Sequence, residues 1–200
     1  SLAFDIYEEK RSLLAELKPL VEAGLLCVDV EDRPTLENLR RRIGSQRRGF
    51  HLFHYLGHAL PDLLILEDEQ ARREDQSATR LTEILQLCPD LRLAVFAGCE
   101  TARAEGDPIA IDAEESKGHS LLSLSDRCVQ DCCPAVVGMQ AVLPFRMERL
   151  FTRFFYQGIV SGYSVAGAMR LARGATRGDR HVGGDLLGWS VAVVFVGGSE

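Results

Sequence analysis

From Leu91 to Phe96 the chain reads Leu-Arg-Leu-Ala-Val-Phe, an apolar run interrupted only by Arg92. A strand with one wet face alternates apolar and polar side chains, so an unbroken run implies a strand covered on both faces, as in a parallel sheet with helices packed on each side. Residues 91–96 are therefore expected at the sheet centre. Phe50–Tyr55, Ala135–Met139, Leu25–Val30 and Val191–Val196 read as further strands, and Asp62–Glu67 as a small extension beside the Phe50–Tyr55 strand. Helical spacing joins them. Leu13, Leu14, Leu17, Leu20 and Val21 recur along one face between Phe4 and Glu22, and Gly24 marks the end. Thr35 suits the cap of a short helix through Arg42, and Ser77 that of one through Leu87. Met147, Leu150, Phe151, Phe154 and Phe155 mark a longer helix, followed by another from Ser164 to about Arg173. Strands alternating with helices imply right-handed crossovers, hence an α/β fold with a mainly parallel central sheet and helices on both faces. Ala102–His119 and the Gly-rich stretch Gly174–Gly184 show neither period and read as loops.

Size and charge narrow the function. Two hundred residues, 46% hydrophobic and 26% charged, suit one domain with a single core. The formal charge is −6, and the basic cluster Arg40, Arg41, Arg42, Arg47 and Arg48 is offset by acids elsewhere, so it reads as a solvated helix end and no nucleic-acid partner is expected. No apolar run reaches the roughly 18 residues of a spanning helix, and Ser1–Lys10 lacks the regions of a signal peptide, so the expectation is a cytoplasmic protein without a membrane partner. Cysteines 27, 88, 99, 128, 132 and 133 contain no Cys-x-x-Cys pair. Neither a metal site, a cofactor nor a disulfide framework is expected.

In parallel α/β sheets functional groups gather outside the carboxyl ends of the strands. His58 follows one strand in His54-Tyr55-Leu56-Gly57-His58-Ala59, and Cys99 follows another in Ala97-Gly98-Cys99-Glu100-Thr101. One crossover separates them, so adjacent parallel strands would deliver both side chains to one sheet edge. A thiolate attacks a carbonyl far better than a thiol, and an imidazole can take its proton and return one to a departing amine. The backbone amides of Ala59 and Cys99 are candidate donors to the resulting oxyanion, and Gly57 and Gly98 would permit close approach there. The residues alone leave a plainer alternative open, with Cys99 a small buried thiol and His58 a loop residue bonded to a carbonyl. His51 and His54, inside a strand, read as structural; His119 and His181 read as exposed loop residues. No G-x-S-x-G elbow, P-loop or G-x-G-x-x-G is found.

At these residues the sequence resembles the CHAT domains, caspase-like peptidases often joined to tetratricopeptide repeats or sensor modules in bacteria. Leu56-Gly57-His58 after a strand resembles the family's His motif, and Gly98-Cys99-Glu100-Thr101 its Cys motif. Ala135-Val136-Val137-Gly138-Met139-Gln140 resembles the strand before the substrate cleft. Phe154-Phe155-Tyr156 with Gly162, Ala168 and Ala172-Arg173 resembles the two helices that follow, and Trp189 fits before the last strand. The likeness covers nearly the whole chain. It implies a caspase-like three-layer sandwich over residues 1–200 and peptide-bond hydrolysis by Cys99 and His58, with Met139, Gln140 and Ala141 lining the cleft. It also implies a protein substrate and a regulatory or sensor partner, with the domain being part of a larger regulated protein. The other reading is a catalytically silent scaffold of the same fold.

Three positions depart from the pattern. Ala59 stands where the family usually has Gly, which keeps the amide donor but adds a Cβ beside the oxyanion position. Ala141-Val142-Leu143-Pro144-Phe145 replaces the usual polar turn. The first strand of such folds is expected upstream of Ser1, pairing beside Leu25–Val30. Relatives that select basic residues generally carry an acid two positions before the nucleophile, whereas here Ala97 follows Phe96, so a neutral residue is expected before the cut.

Overall fold

The computed structural model describes residues 6–45, 49–60, 62–97, 123–140, 145–178 and 191–197. In chain order they form α1 (Ile6–Glu22), α2 (Leu36–Ser45), β1 (Leu52–Leu56), β2 (Ala59–Leu60), β3 (Leu63–Glu67), β4 (Arg73–Ser77), α3 (Ala78–Leu85), β5 (Leu93–Ala97), α4 (Leu124–Asp131), β6 (Ala135–Met139), α5 (Phe145–Val160), α6 (Val165–Gly178) and β7 (Ala192–Val196). The chain divides into two compact units, Ser1–Val30 with Leu143–Val194 and Glu31–Val142 with Phe195–Glu200.

In the second unit the apolar run becomes β5, and Leu93 to Phe96 are buried. The sheet order is β1-β5-β6-β7, with β5 parallel to both β1 and β6. Register is set from Leu52↔Leu93 to Leu56↔Ala97 on one side and from Ala94↔Val136 to Phe96↔Gly138 on the other. Each fully buried Phe, Leu or Val stabilises by about 1.5–3 kcal/mol, and Phe96, Leu81, Leu85 and Val136 form the centre of this core. Phe53 meets Phe96 edge-on, ring centroids 6.0 Å apart. The helices start where the sequence caps them. Thr35 Oγ1 accepts from the Asn38 N–H at 3.1 Å, and Ser77 Oγ from the Arg80 N–H. Ser123 and Asp126 form a reciprocal capping box ahead of α4, an arrangement worth about 1 kcal/mol.

The second unit also holds an antiparallel sheet, order β2-β3-β4, with Leu64 and Leu66 buried. Asp62–Glu67 was expected beside β1; β3 instead pairs with β2 and β4. The Arg-Glu-Asp-Gln-Ser strand β4 carries no apolar alternation, and it is held by backbone pairing from Leu63↔Ser77 to Glu67↔Arg73.

In the first unit α1 ends in a Schellman motif: the Leu25 N–H reaches the Leu20 carbonyl and the Gly24 N–H that of Val21, both at 3.0 Å, with Gly24 at φ +69°. Glu16 receives Arg149 at 2.7 Å, tying α1 to α5. The helices α5 and α6 approach closely at Gly158, where an added Cβ would stand 2.9 Å from Ala168. Within α5, Phe151 stacks on Phe155, ring centroids 5.6 Å apart, and Phe155 meets Tyr156 edge-on at 5.5 Å.

Two further expectations are corrected. Leu25–Val30 forms no strand; Leu25 and Val28 are exposed, and β1 is the terminal strand of the sheet order. Residues 174–178, read as loop, continue α6, where Thr176 Oγ1 donates to the Arg173 carbonyl. Ala102–His119 lies outside the described residues. Among the described residues no helix is long and apolar enough to cross a membrane.

Candidate functional site

Strand β1 alternates around the sheet, which turns Tyr55 inward, 7% exposed, and leaves the chain to leave the sheet at Leu56. Gly57 is buried, and His58, the next residue, is exposed. Ala59 is buried again and opens β2, opposite Leu64. The turn between the two strands is tied at one carbonyl. His58 O accepts the Tyr55 hydroxyl at 2.6 Å and the Ile65 N–H at 3.1 Å, and the same hydroxyl lies 2.9 Å from the Ile65 carbonyl. Gly57 is demanded by this contact, since a Cβ there would fall 2.6 Å from Tyr55 Oη and 2.9 Å from its Cζ. Burial pushes the Tyr55 hydroxyl well above its ordinary pKa, the hydrogen bond with Ile65 offsetting part of that, so it stays a donor.

Beside this turn runs the end of β5. Leu56 pairs with Ala97, and neighbouring strands lie about 4.8 Å apart. His58 and Cys99 each stand two residues beyond that pair in sequence. Gly98, Cys99 and Ala141 lie outside the described residues, as do His119 and His181. Of the expected cleft residues, Met139 closes β6 and is buried, and Gln140 is exposed just after it.

The remaining histidines and thiols fit structural roles. Burial holds His54 down to about 4, keeping its imidazole neutral inside β1, and His51 is exposed before that strand. Cys88 is buried and donates to the Phe50 carbonyl at 3.1 Å. A hydrogen bond with Cys132, then burial, raises the Cys128 thiol far above its usual range, and the same bond lowers Cys132. Burial takes Cys133 up to about 11. A groove of about 410 Å³ lies elsewhere in this unit, lined by Thr35, Arg40, Asp68, Glu74, Arg80 and Glu83, and includes none of the candidate residues.

Tyr55, bonded to the carbonyl of His58, is a residue that sequence reasoning passed over. In a strand a tyrosine reads simply as a β-former; the signal was the glycine two residues on, where a Cβ would meet the ring and hydroxyl of Tyr55. Compared with known protein families, the chain is matched over residues 3–197 by the model described as the CHAT domain. No curated protein matches it.

Proposed function

The chain belongs to the CHAT domain family, which is caspase-like, and from that premise we propose that it is a cysteine endopeptidase with Cys99 as nucleophile and His58 as its acid and base. The observation that carries this reading is the parallel register Leu56↔Ala97, from which the two side chains are equidistant along the sequence. In the proposed reaction the Cys99 thiol gives its proton to His58, and the sulfur bonds to the scissile carbonyl carbon. The oxyanion takes hydrogen bonds from the Ala59 and Cys99 amides. Collapse breaks the C–N bond, His58 hands its proton to the leaving amine, and water then cleaves the thioester with His58 as base. Met139, Gln140 and Ala141 flank the substrate. The fold of this reading is the caspase-like three-layer sandwich with helices on both faces. We place the enzyme in the cytoplasm, as one domain of a larger protein whose regulatory or sensor module controls access to a protein substrate.

An electrophilic peptide probe tests the assignment. The purified protein should be labelled at Cys99, as read by mass spectrometry, and labelling should vanish in His58→Ala. Ala59, which sets a Cβ where the family usually has none, favours the silent scaffold as the second reading. A folded protein that leaves Cys99 unlabelled would support that scaffold instead.

A further inference from the structure

We propose that Tyr55 is a positioning residue for this site: its hydroxyl holds the peptide between His58 and Ala59, and so aims the Ala59 N–H and fixes the backbone from which His58 projects. The inference rests on the peptidase reading of His58 and Ala59. Its geometry is local to one peptide group. The carbonyl of that group receives two donors, the Tyr55 hydroxyl at 2.6 Å from the end of β1 and the Ile65 N–H at 3.1 Å from β3. A peptide is planar and trans, so fixing the carbonyl direction fixes the N–H on its far side. The Ala59 N–H therefore points away from Ile65 and β3, the direction required of a donor that serves something outside the hairpin.

The clamp also acts electronically. Hydrogen bonds into a carbonyl polarise the amide and strengthen its N–H as a donor. Tyr55 has a single hydroxyl hydrogen, and of the two carbonyls within its reach that of His58 is the nearer, 2.6 against 2.9 Å. The ring is 7% exposed, and packing allows the hydroxyl little choice of position. Gly57 completes the device, because any side chain there would drive the hydroxyl off the carbonyl. The Tyr-x-Gly-His-Ala order of residues 55–59 is thus one mechanical unit. Ala59, with the Cβ that the usual glycine lacks, makes precise aiming of this N–H more consequential, since the oxyanion has less room to adjust.

The test separates aiming from folding. Wild type, Tyr55→Phe and Gly57→Ala are compared in three measurements: turnover of a peptide substrate, inhibition by a peptide aldehyde whose Cys99 adduct carries a tetrahedral oxygen, and alkylation of Cys99 by iodoacetamide. Alkylation needs the thiolate but no oxyanion donor, so it reports the reactivity of Cys99 apart from the Ala59 N–H, while circular dichroism gives the folded fraction. Per folded molecule, Tyr55→Phe should lose about tenfold to a hundredfold in kcat with KM little changed, and should bind the aldehyde correspondingly more weakly. Gly57→Ala should reproduce that pattern with the tyrosine present, which covers the case of a poorly folded Tyr55→Phe. Full kcat and full aldehyde affinity in both variants would overturn the proposal while leaving the peptidase reading intact. Wild type that shows no Cys99-dependent turnover would overturn that reading and the proposal with it.

Discussion

On the proposed reading His58 and Cys99 would serve one proton transfer and one bond formation, so removing either should remove both steps. Cys99→Ala and His58→Ala should each lower kcat/KM by about a thousandfold or more, and the double variant should be little worse than either alone. Fluorogenic turnover by the three purified proteins checks this; losses that multiply would mean that the two side chains act separately. His58 was a candidate because a reactive side chain two residues past the end of a β-strand is visible in the order of residues alone. Tyr55 was not, because what matters is a hydroxyl reaching three residues forward to a carbonyl, and nothing in a strand pattern records where a side chain's far end goes.

Secondary structure was readable where burial dictates composition. β5 and β6 are apolar because both faces are covered, and the runs 91–96 and 135–139 gave them away. β4 was invisible, since its Arg-Glu-Asp-Gln-Ser side chains say nothing of the backbone bonds to β3 that make it a strand. Leu25–Val30 failed in the opposite sense: its β-forming side chains suggested pairing, yet Leu25 remains 57% exposed. Helix pairing hides a different property, visible at α1 and α5. Burial, reinforced by Glu9 on α1, raises Glu148 from 4.5 to about 8, while Arg149 is engaged 2.7 Å from Glu16, with Arg153 3.9 Å from the same carboxylate. Between those two pH values the folded state holds a proton that the unfolded state has lost, so stability falls as pH rises from about 4.5 through about 8. Glu148→Gln cannot ionise and should escape that loss. Each tenfold change in proton affinity is worth about 1.4 kcal/mol, and solvent at a half-buried carboxylate weakens the effect, leaving a gain of about 1–3 kcal/mol at pH 8.5 and little change at pH 5. Urea unfolding at both pH values decides it; an equal effect at both would mean that ionisation of Glu148 is not the cause.

Over the whole molecule, the proposed peptidase reading has two kinds of electrostatics acting on a peptide substrate, and they predict opposite preferences at different distances. The formal charge of −6 attracts cationic peptides from afar, so basic residues several positions from the cut should speed capture. At the proposed cleavage position the ends of the two central strands are apolar, Ala97 on β5 and Met139, 4% exposed, on β6, and the neighbouring Gln140 is a neutral amide. An ammonium or guanidinium desolvated there without a carboxylate partner costs several kcal/mol. A neutral, largely apolar residue should therefore be preferred immediately before the scissile bond, even though arginine is favoured elsewhere in the same peptide. Salt separates the two effects, because the screening length falls from about 8 Å at 0.15 M to about 3 Å at 1 M. In a fluorogenic series, raising salt should abolish the advantage of distant basic residues and leave the preference at the cleavage position unchanged. Arginine or lysine favoured tenfold or more at that position at 1 M salt, about 1.4 kcal/mol in the transition state, would mean that an acid reaches the pocket from the segment after Cys99, where Asp107, Asp112, Glu114 and Glu115 are available.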